Sequence, residues 1–311
     1  MTIPPPLEKP EVSTEPVDAS TEISQLVRPK RRRGAALFAV FAENKLALAG
    51  LVMIFLILMF CFVGPLVYHS NQITSNLSIA NTSPGTGHPL GTDNVGYDEL
   101  GRLMVGGQTS LEIGFAAALL AGIFGVLYGA IAGYFGGIID TVMMRVVDAL
   151  LSIPVLFVLL LMAAIIKVNQ LNLTLAVAFF AWLVPARLIR GETLTLRTRE
   201  FVQAVKGMGG GASRSIFLHL IPNAIGTIVV NITFQVADAI LALAALGYLG
   251  FGLPPPAANW GAMLSQGVTY LYAGEWWLIY PVGLLIVLTV MAFNFVGDAL
   301  RDAFDVRLQR R

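Results

Sequence analysis

Six long apolar runs, parted by short polar stretches, decide what this chain can fold into. The hydrocarbon core of a bilayer, about 30 Å thick, is crossed by about 20 apolar residues in helical form. Backbone groups in lipid must be satisfied within the segment, so a single spanning segment of this kind is a helix. The runs lie near residues 46–67, 113–135, 142–166, 171–186, 224–246 and 276–297, the fourth being the shortest. Charged residues make up 13% of the chain and hydrophobic ones 56%, whereas soluble domains carry about 25% charged residues. The reading is an all-α integral membrane protein with six transmembrane helices. Gly122, Gly125, Gly129, Pro154 and Gly283 fall inside the runs, where small residues let helices approach closely.

Orientation follows from the basic residues. Eighteen of the twenty Lys and Arg residues fall in 1–45, 134–145, 187–221 and 298–311, leaving Arg102 and Lys167 on the other side. Both termini are therefore expected in the cytoplasm. Residues 1–34, rich in Pro, Thr, Ser and Glu with a basic run from Arg28 to Arg33, read as a disordered tail with a membrane anchor. Residues 35–67 supply an interfacial segment and the first span, 68–112 an extracytoplasmic segment, 113–297 a five-helix core, and 298–311 a cytoplasmic tail. No basic surface for nucleic acid is implied, and the early apolar run is too long for a secretory leader. Trp260, Trp276 and Trp277 suit the outer headgroup region, and Pro254 to Pro256 forbid a regular helix there. That segment reads as part of an outer gate or as a rigid linker.

Chemistry-bearing residues are sparse. The single Cys61 permits no intramolecular disulfide and no Cys-based zinc site, and the three histidines are split between the two sides. Neither a phosphate-cradling glycine loop nor a nucleophile with a base is present. Asp148 and Asp238 lie within spans, where a charge costs a few kcal/mol and must face protein or water. Each reads either as a proton relay or ammonium contact or as a structural carboxylate, paired with Arg145, which shares a helical face with Asp148, or with a basic residue of another chain, or placed close to an interface. His88, Asp93, Asp98, Glu99 and Arg102 form a polar cluster before the second span, read as a metal or substrate contact or as an interfacial cap.

The loop between the fourth and fifth spans, 187–221, is long for a connection and carries its own pattern. Residues 198–208 (TREFVQAVKGM) read as a helix with Thr198 as N-cap and Glu200 in its first turn. Phe201, Val205 and Met208 recur as one apolar stripe, and three glycines end the helix. A second short helix over 212–219 follows, and Pro222 opens the next span. Such a stripe fits a helix lying on lipid or a knob that docks into a cytoplasmic partner.

The stretch REFVQAVKGMGGGASRSIFLHLIPN, from Arg199 to Asn223, resembles the coupling loop of importer-type ABC permeases. Gln203, Ala204 and Val205 take its Glu-Ala-Ala places, Gly209 the glycine, and His219 and Pro222 the later positions. Outside the membrane, HPLGTDNVGYDELGRLMVGGQTSLEIG (His88 to Gly114) is similar to the C-type subunit of dipeptide, oligopeptide and nickel permeases, with Tyr97 in place of the usual Arg. AGYFGGIIDTVMMRVVDALLSIP, GYLGFGLPPPAANWGAML and AFNFVGDALRDAFDVRL match the same subunit in order and spacing, although Leu243 stands where the family often has Glu.

The resemblance implies a multi-pass permease subunit of the prokaryotic plasma (inner) membrane, paired with a second homologous permease chain. It also implies two ATP-binding ATPase subunits that use ATP and Mg2+, and an extracytoplasmic binding protein that delivers peptides, nickel or similar small solutes. No cofactor, metal or catalytic group is expected in this chain. ATPase coupling falls to Arg199, Glu200, Phe201, Gln203, Ala204, Val205, Met208, Gly209, His219 and Pro222, and a translocation path or gate to Asp238 and Trp260. The rival reading is an ion-gradient-driven carrier or channel working through Asp148 and Asp238.

Overall fold

The computed structural model describes residues 41–309, with side chains through residue 304; the expected tail at 1–34 and the start of the interfacial segment lie outside these. Among the described residues the chain is helical, with only isolated bridges at Gly85 with His88 and Thr92 with Asp98. Helix α1 spans Lys45–Val67, with a π-helical turn at Met59–Val63. The Asn44 carboxamide caps its start by accepting from the Leu46 and Ala47 N–H groups. Then come α2 (Glu99–Phe135), α3 (Gly137–Leu151), α4 (Val155–Ile165), α5 (Gln170–Leu196) and the short α6 (Glu200–Gly207). After α7 (residues 212–223) follow α8 (Ile225–Phe251), α9 (Trp260–Tyr270) and α10 (Tyr280–Gln309).

Five helices are long and apolar enough to cross a membrane, and the bent pair α3–α4 makes a sixth. The pair departs from the straight third span expected from the sequence: it turns by 78° at a break of residues 152–154. Pro154 occupies the N-cap position of α4; it lacks an N–H and disfavours helical geometry in the residue before it. The second span also differs. Its helix begins at Glu99, not near Ile113, because Asp98 caps it by accepting from the Gly101 N–H at 2.9 Å. At 1.5 Å per residue its 37 residues extend about 55 Å, so the first turns stand beyond the apolar layer. The fourth span runs past its expected end at 186 to Leu196, since the arginines on its last turns have acidic partners on α3.

Packing centres on α2, which lies against α5 on one side and α8 on another, while α10 packs between α1 and α8. Gly125, Gly129 and Gly133 form a bare stripe on α2 where α5 approaches. A Cβ at Gly125 would meet Trp182 O at 2.7 Å, and one at Gly129 would overlap Ala186 O. Lipid tails are as apolar as side chains, so helices in a bilayer associate through such close van der Waals contact. Replacing Gly129 with Leu is expected to push α2 from α5 and destabilise the detergent-solubilised protein by about 1–3 kcal/mol. An unchanged unfolding midpoint in a denaturant titration would show that the stripe does not hold the pair together.

Candidate functional site

Residues 197–223 build one compact element at the basic end of the bundle. In α6 the N-cap position is Arg199, and Thr198 instead donates its hydroxyl to Thr195 O at 2.9 Å, which corrects the expected cap. The helix ends in a Schellman motif: Gly210 N–H donates to Val205 O at 2.8 Å and Gly209 N–H to Lys206 O at 3.0 Å. Gly209 sits at φ +79°, a left-handed conformation that glycine adopts without cost.

The expected single stripe divides into two. Val202 is buried with Ile189, Ile216 and Leu220 and fully shielded at 0% exposure, and Val205 is buried as well. Phe201 at 39% and Met208 at 80% remain open, with exposed Ala204 between them. At 100° per residue, positions 201, 204 and 208 share one face. One side of α6 is thus anchored, and an apolar side is left uncovered.

The anchoring is extensive. Gln203 donates its carboxamide N–H to Arg197 O at 2.9 Å, a role that an ionised Glu at this position, an acceptor only, would not perform. Arg197 donates to Gly133 O at 3.0 Å, satisfying a carbonyl at the end of α2. Lys206 Nζ lies 4.9 Å from the centre of the Tyr134 ring, a cation–π contact. His219, half-buried, falls in a π-helical turn at Ser215–Leu220, and its carbonyl accepts from Asn223 Nδ2 at 2.6 Å. Pro222 enters a short helix at Ile221–Asn223, where its missing N–H is tolerated. Arg199 and Glu200 are exposed, Glu200 in the first turn, where a negative charge suits the helix dipole.

Two ion pairs that the sequence reading did not foresee clamp α3 to α5 nearby. Arg190 donates to both carboxylate oxygens of Asp140, at 2.5 and 2.6 Å. Asp148 pairs with Arg187 at 2.5 Å and not with Arg145, the partner expected from helical spacing. The carboxylates lie eight residues apart on α3 and the arginines three apart on α5, spacings that keep each pair of like residues near one face.

At the opposite end the polar cluster folds as an interlocked cap. Asp98 accepts from the Tyr68 hydroxyl at 2.9 Å and faces His88 Nδ1 at 2.8 Å. Asp93 accepts from the Val95 and Tyr97 N–H groups at 3.0 and 2.8 Å. Arg102 donates to Pro256 O at 2.7 Å, with its guanidinium 4.5 Å from the Tyr97 ring centre. Among the described residues no group of three or more His, Cys, Asp or Glu is placed to hold a metal ion. Trp260 is fully buried and donates its indole N–H to Leu103 O at 3.1 Å, bracing α9 against α2. Asp238, by contrast, lies on an exposed face of α8.

Glu99 stands at the first position of α2, fourteen residues before the apolar stretch. Burial, reinforced by the neighbouring Asp93 charge, pushes its carboxyl up to about 8, with Arg102 opposing. A carboxyl whose folded value exceeds the ordinary 4.5 binds more protons folded than unfolded between those two values, so stability falls as pH rises through that window. Thermal melts of the solubilised protein are expected to weaken from pH 5 to pH 8, and Glu99→Gln to flatten that slope. An equal slope in the variant would place the dependence elsewhere.

Comparison with known proteins agrees with this architecture. Residues 125–310, more than half of the chain, match the family model described as binding-protein-dependent transport system inner membrane component. Residues 35–84 match the N-terminal TM domain of oligopeptide transport permease C. The chain is 39% identical over 270 residues to the oligopeptide transport system permease protein OppC of Bacillus subtilis, covering 87% of this chain and 88% of that one. It is 36% identical over 268 residues to the dipeptide transport system permease protein DppC of the same organism, covering 86% and 84%. To OppC of Haemophilus influenzae it is 38% identical over 268 residues, covering 85% and 86%. With a bundle of five long helices and one bent pair carrying a matching segment at each end, the chain belongs to the binding-protein-dependent transport system inner membrane components, the permease subunits of ABC importers.

Proposed function

We propose that this chain is one transmembrane half of an ATP-driven importer of di- or oligopeptides, and that α6 is its handle for an ATPase partner. The observation that carries the reading is the uncovered face of Phe201, Ala204 and Met208 on a helix whose other side is locked to α2, α5 and α7. A small apolar knob on a rigid mount fits a groove on a partner protein, and force applied there passes into the bundle through the Gln203, Arg197 and Lys206 contacts. The relatives that the chain resembles over most of its length are peptide permeases by name.

In this reading the termini are cytoplasmic and the membrane is the prokaryotic plasma membrane. A second permease chain completes the pathway, and a binding protein delivers the solute at the capped end. Two ATPase subunits close on ATP and Mg2+; their preference for the closed state shifts the paired permeases between inward-open and outward-open forms. Arg199, Glu200, Gln203, Val205, Gly209, His219 and Pro222 hold or shape the handle, while Phe201, Ala204 and Met208 touch the partner. Asp238, on the open face of α8, contributes to the translocation path, and Trp260 steadies the outer wall beside it. A gradient-driven carrier is not favoured: of the two carboxylates it would use, Asp148 is already tied to Arg187.

Phe201→Ala is expected to remove an aromatic anchor worth about 2 kcal/mol, a roughly thirtyfold weaker hold on the ATPase. Gly209→Leu forces a branched side chain into the left-handed region at a cost of about 1–2 kcal/mol and misorients the knob. Both variants should insert normally yet lose ATP-linked peptide uptake in proteoliposomes with all partners present. Undiminished uptake in both would refute the coupling role.

A further inference from the structure

The two cations that break the charge asymmetry, Arg102 and Lys167, converge on one groove. It opens at the capped end between α9, the 247–258 segment and the start of α5, with a volume of about 600 Å3, within the usual range for small-molecule sites. Among the described residues none of those lining it is acidic.

Three features make it a site for an anion rather than a gap between helices. The Lys167 side chain is exposed and has no ion pair among the described residues. Arg102 is nearly buried, yet only one of its five N–H donors makes a hydrogen bond, to Pro256 O; Asp93 lies 3.9 Å away. Asn259 is fully buried, and while its Oδ1 accepts from the Ala262 N–H, its Nδ2 has no acceptor at all. A buried donor left unmatched is destabilising, and a bound acceptor would relieve that cost. The wall facing that amide is glycine: a Cβ at Gly252 would meet Asn259 Nδ2 at 2.7 Å, and a side chain at Gly250 would project into open space. Arg102 has Asp93 on its inner side, but Lys167 and the Asn259 amide have no acidic partner among the described residues, and donors set along a bare backbone wall call for an acceptor-rich, narrow, negatively charged group.

We infer that this groove takes the terminal carboxylate of the transported solute, with Lys167 making the contact and Arg102 holding the 254–257 segment in place. The inference rests on the peptide-importer reading and adds which end of the peptide is recognised on this chain. A carboxylate on the face of a delivering protein is the other source of such a group, but the innermost donor, Asn259, is recessed, and a slender chain terminus reaches it more readily.

The test uses the assembled transporter with its binding protein and ATPases in proteoliposomes, and one peptide prepared with either a free C-terminal carboxylate or a C-terminal amide. Lys167→Gln removes the charge that faces the carboxylate, so uptake of the free acid relative to wild type should fall about tenfold. Uptake of the amide relative to wild type should stay the same, and Lys167→Arg should restore the acid. Should the wild type carry only the free acid, Lys167→Gln should raise its KM about tenfold and keep kcat. An equal loss for both peptides would assign the groove to the delivering protein's carboxylates and overturn the inference, as would no loss for either or a fall in kcat alone. ATP-driven uptake of the free acid by the wild type keeps the importer reading standing in each of those cases; its absence would remove that reading and this one together.

Discussion

The close approach of α2 and α5 is the contact on which the remaining structure depends. In lipid there is no hydrophobic gain from bringing two apolar helices together, so association requires backbones near enough for dense van der Waals contact. The glycines at 125, 129 and 133 recur every fourth residue and provide that surface. With α5 seated, its last turns bring Arg187 and Arg190 to the carboxylates of α3, and Arg197 to the end of α2. The mount for α6 is then complete.

This arrangement explains how a short helix keeps a fixed shape. An isolated helix of eight residues is not stable in water, and α6 holds its shape because Val202 is packed into the bundle and Val205 is buried, while its C-terminus is closed by Gly209 and Gly210. The element is packed against α2, α5 and α7. Its apolar outer face remains available because the stripe turned toward the core lies one residue away from Phe201 in sequence.

Much of this was legible from the residues alone. Hydropathy located the spans because bilayer thickness imposes a length. The 152–154 break does not follow from Pro154 in the sequence, because proline inside a span is compatible with either a kink or a tolerated gap. The early start of α2 was missed because ELGRLMVGGQTSLE lacks strong apolar periodicity; the Asp98 cap was the available signal. In α6 the stripe was drawn through Phe201, Val205 and Met208, and adjacent apolar residues at 201 and 202 left two faces possible. Only the position of Ile189, Ile216 and Leu220 decides between them. The Asp148 partner was missed for a related reason, since spacing within one helix says nothing about an arginine 39 residues away. The unmatched amide of Asn259 had no sequence signal at all.

The polar cap joins distant parts of the chain: Arg102 is bound to the carbonyl of Pro256, and Trp277 donates its indole N–H to Thr92 O at 3.3 Å. Because a ribosome delivers residues in order, the early segment at 68–98 waits for partners that emerge only with the final third of the polypeptide. Biosynthesis therefore passes through a stage in which four spans are made and this surface is still unfinished. Quality-control proteases would meet their best opportunity there, before the last two helices lock it.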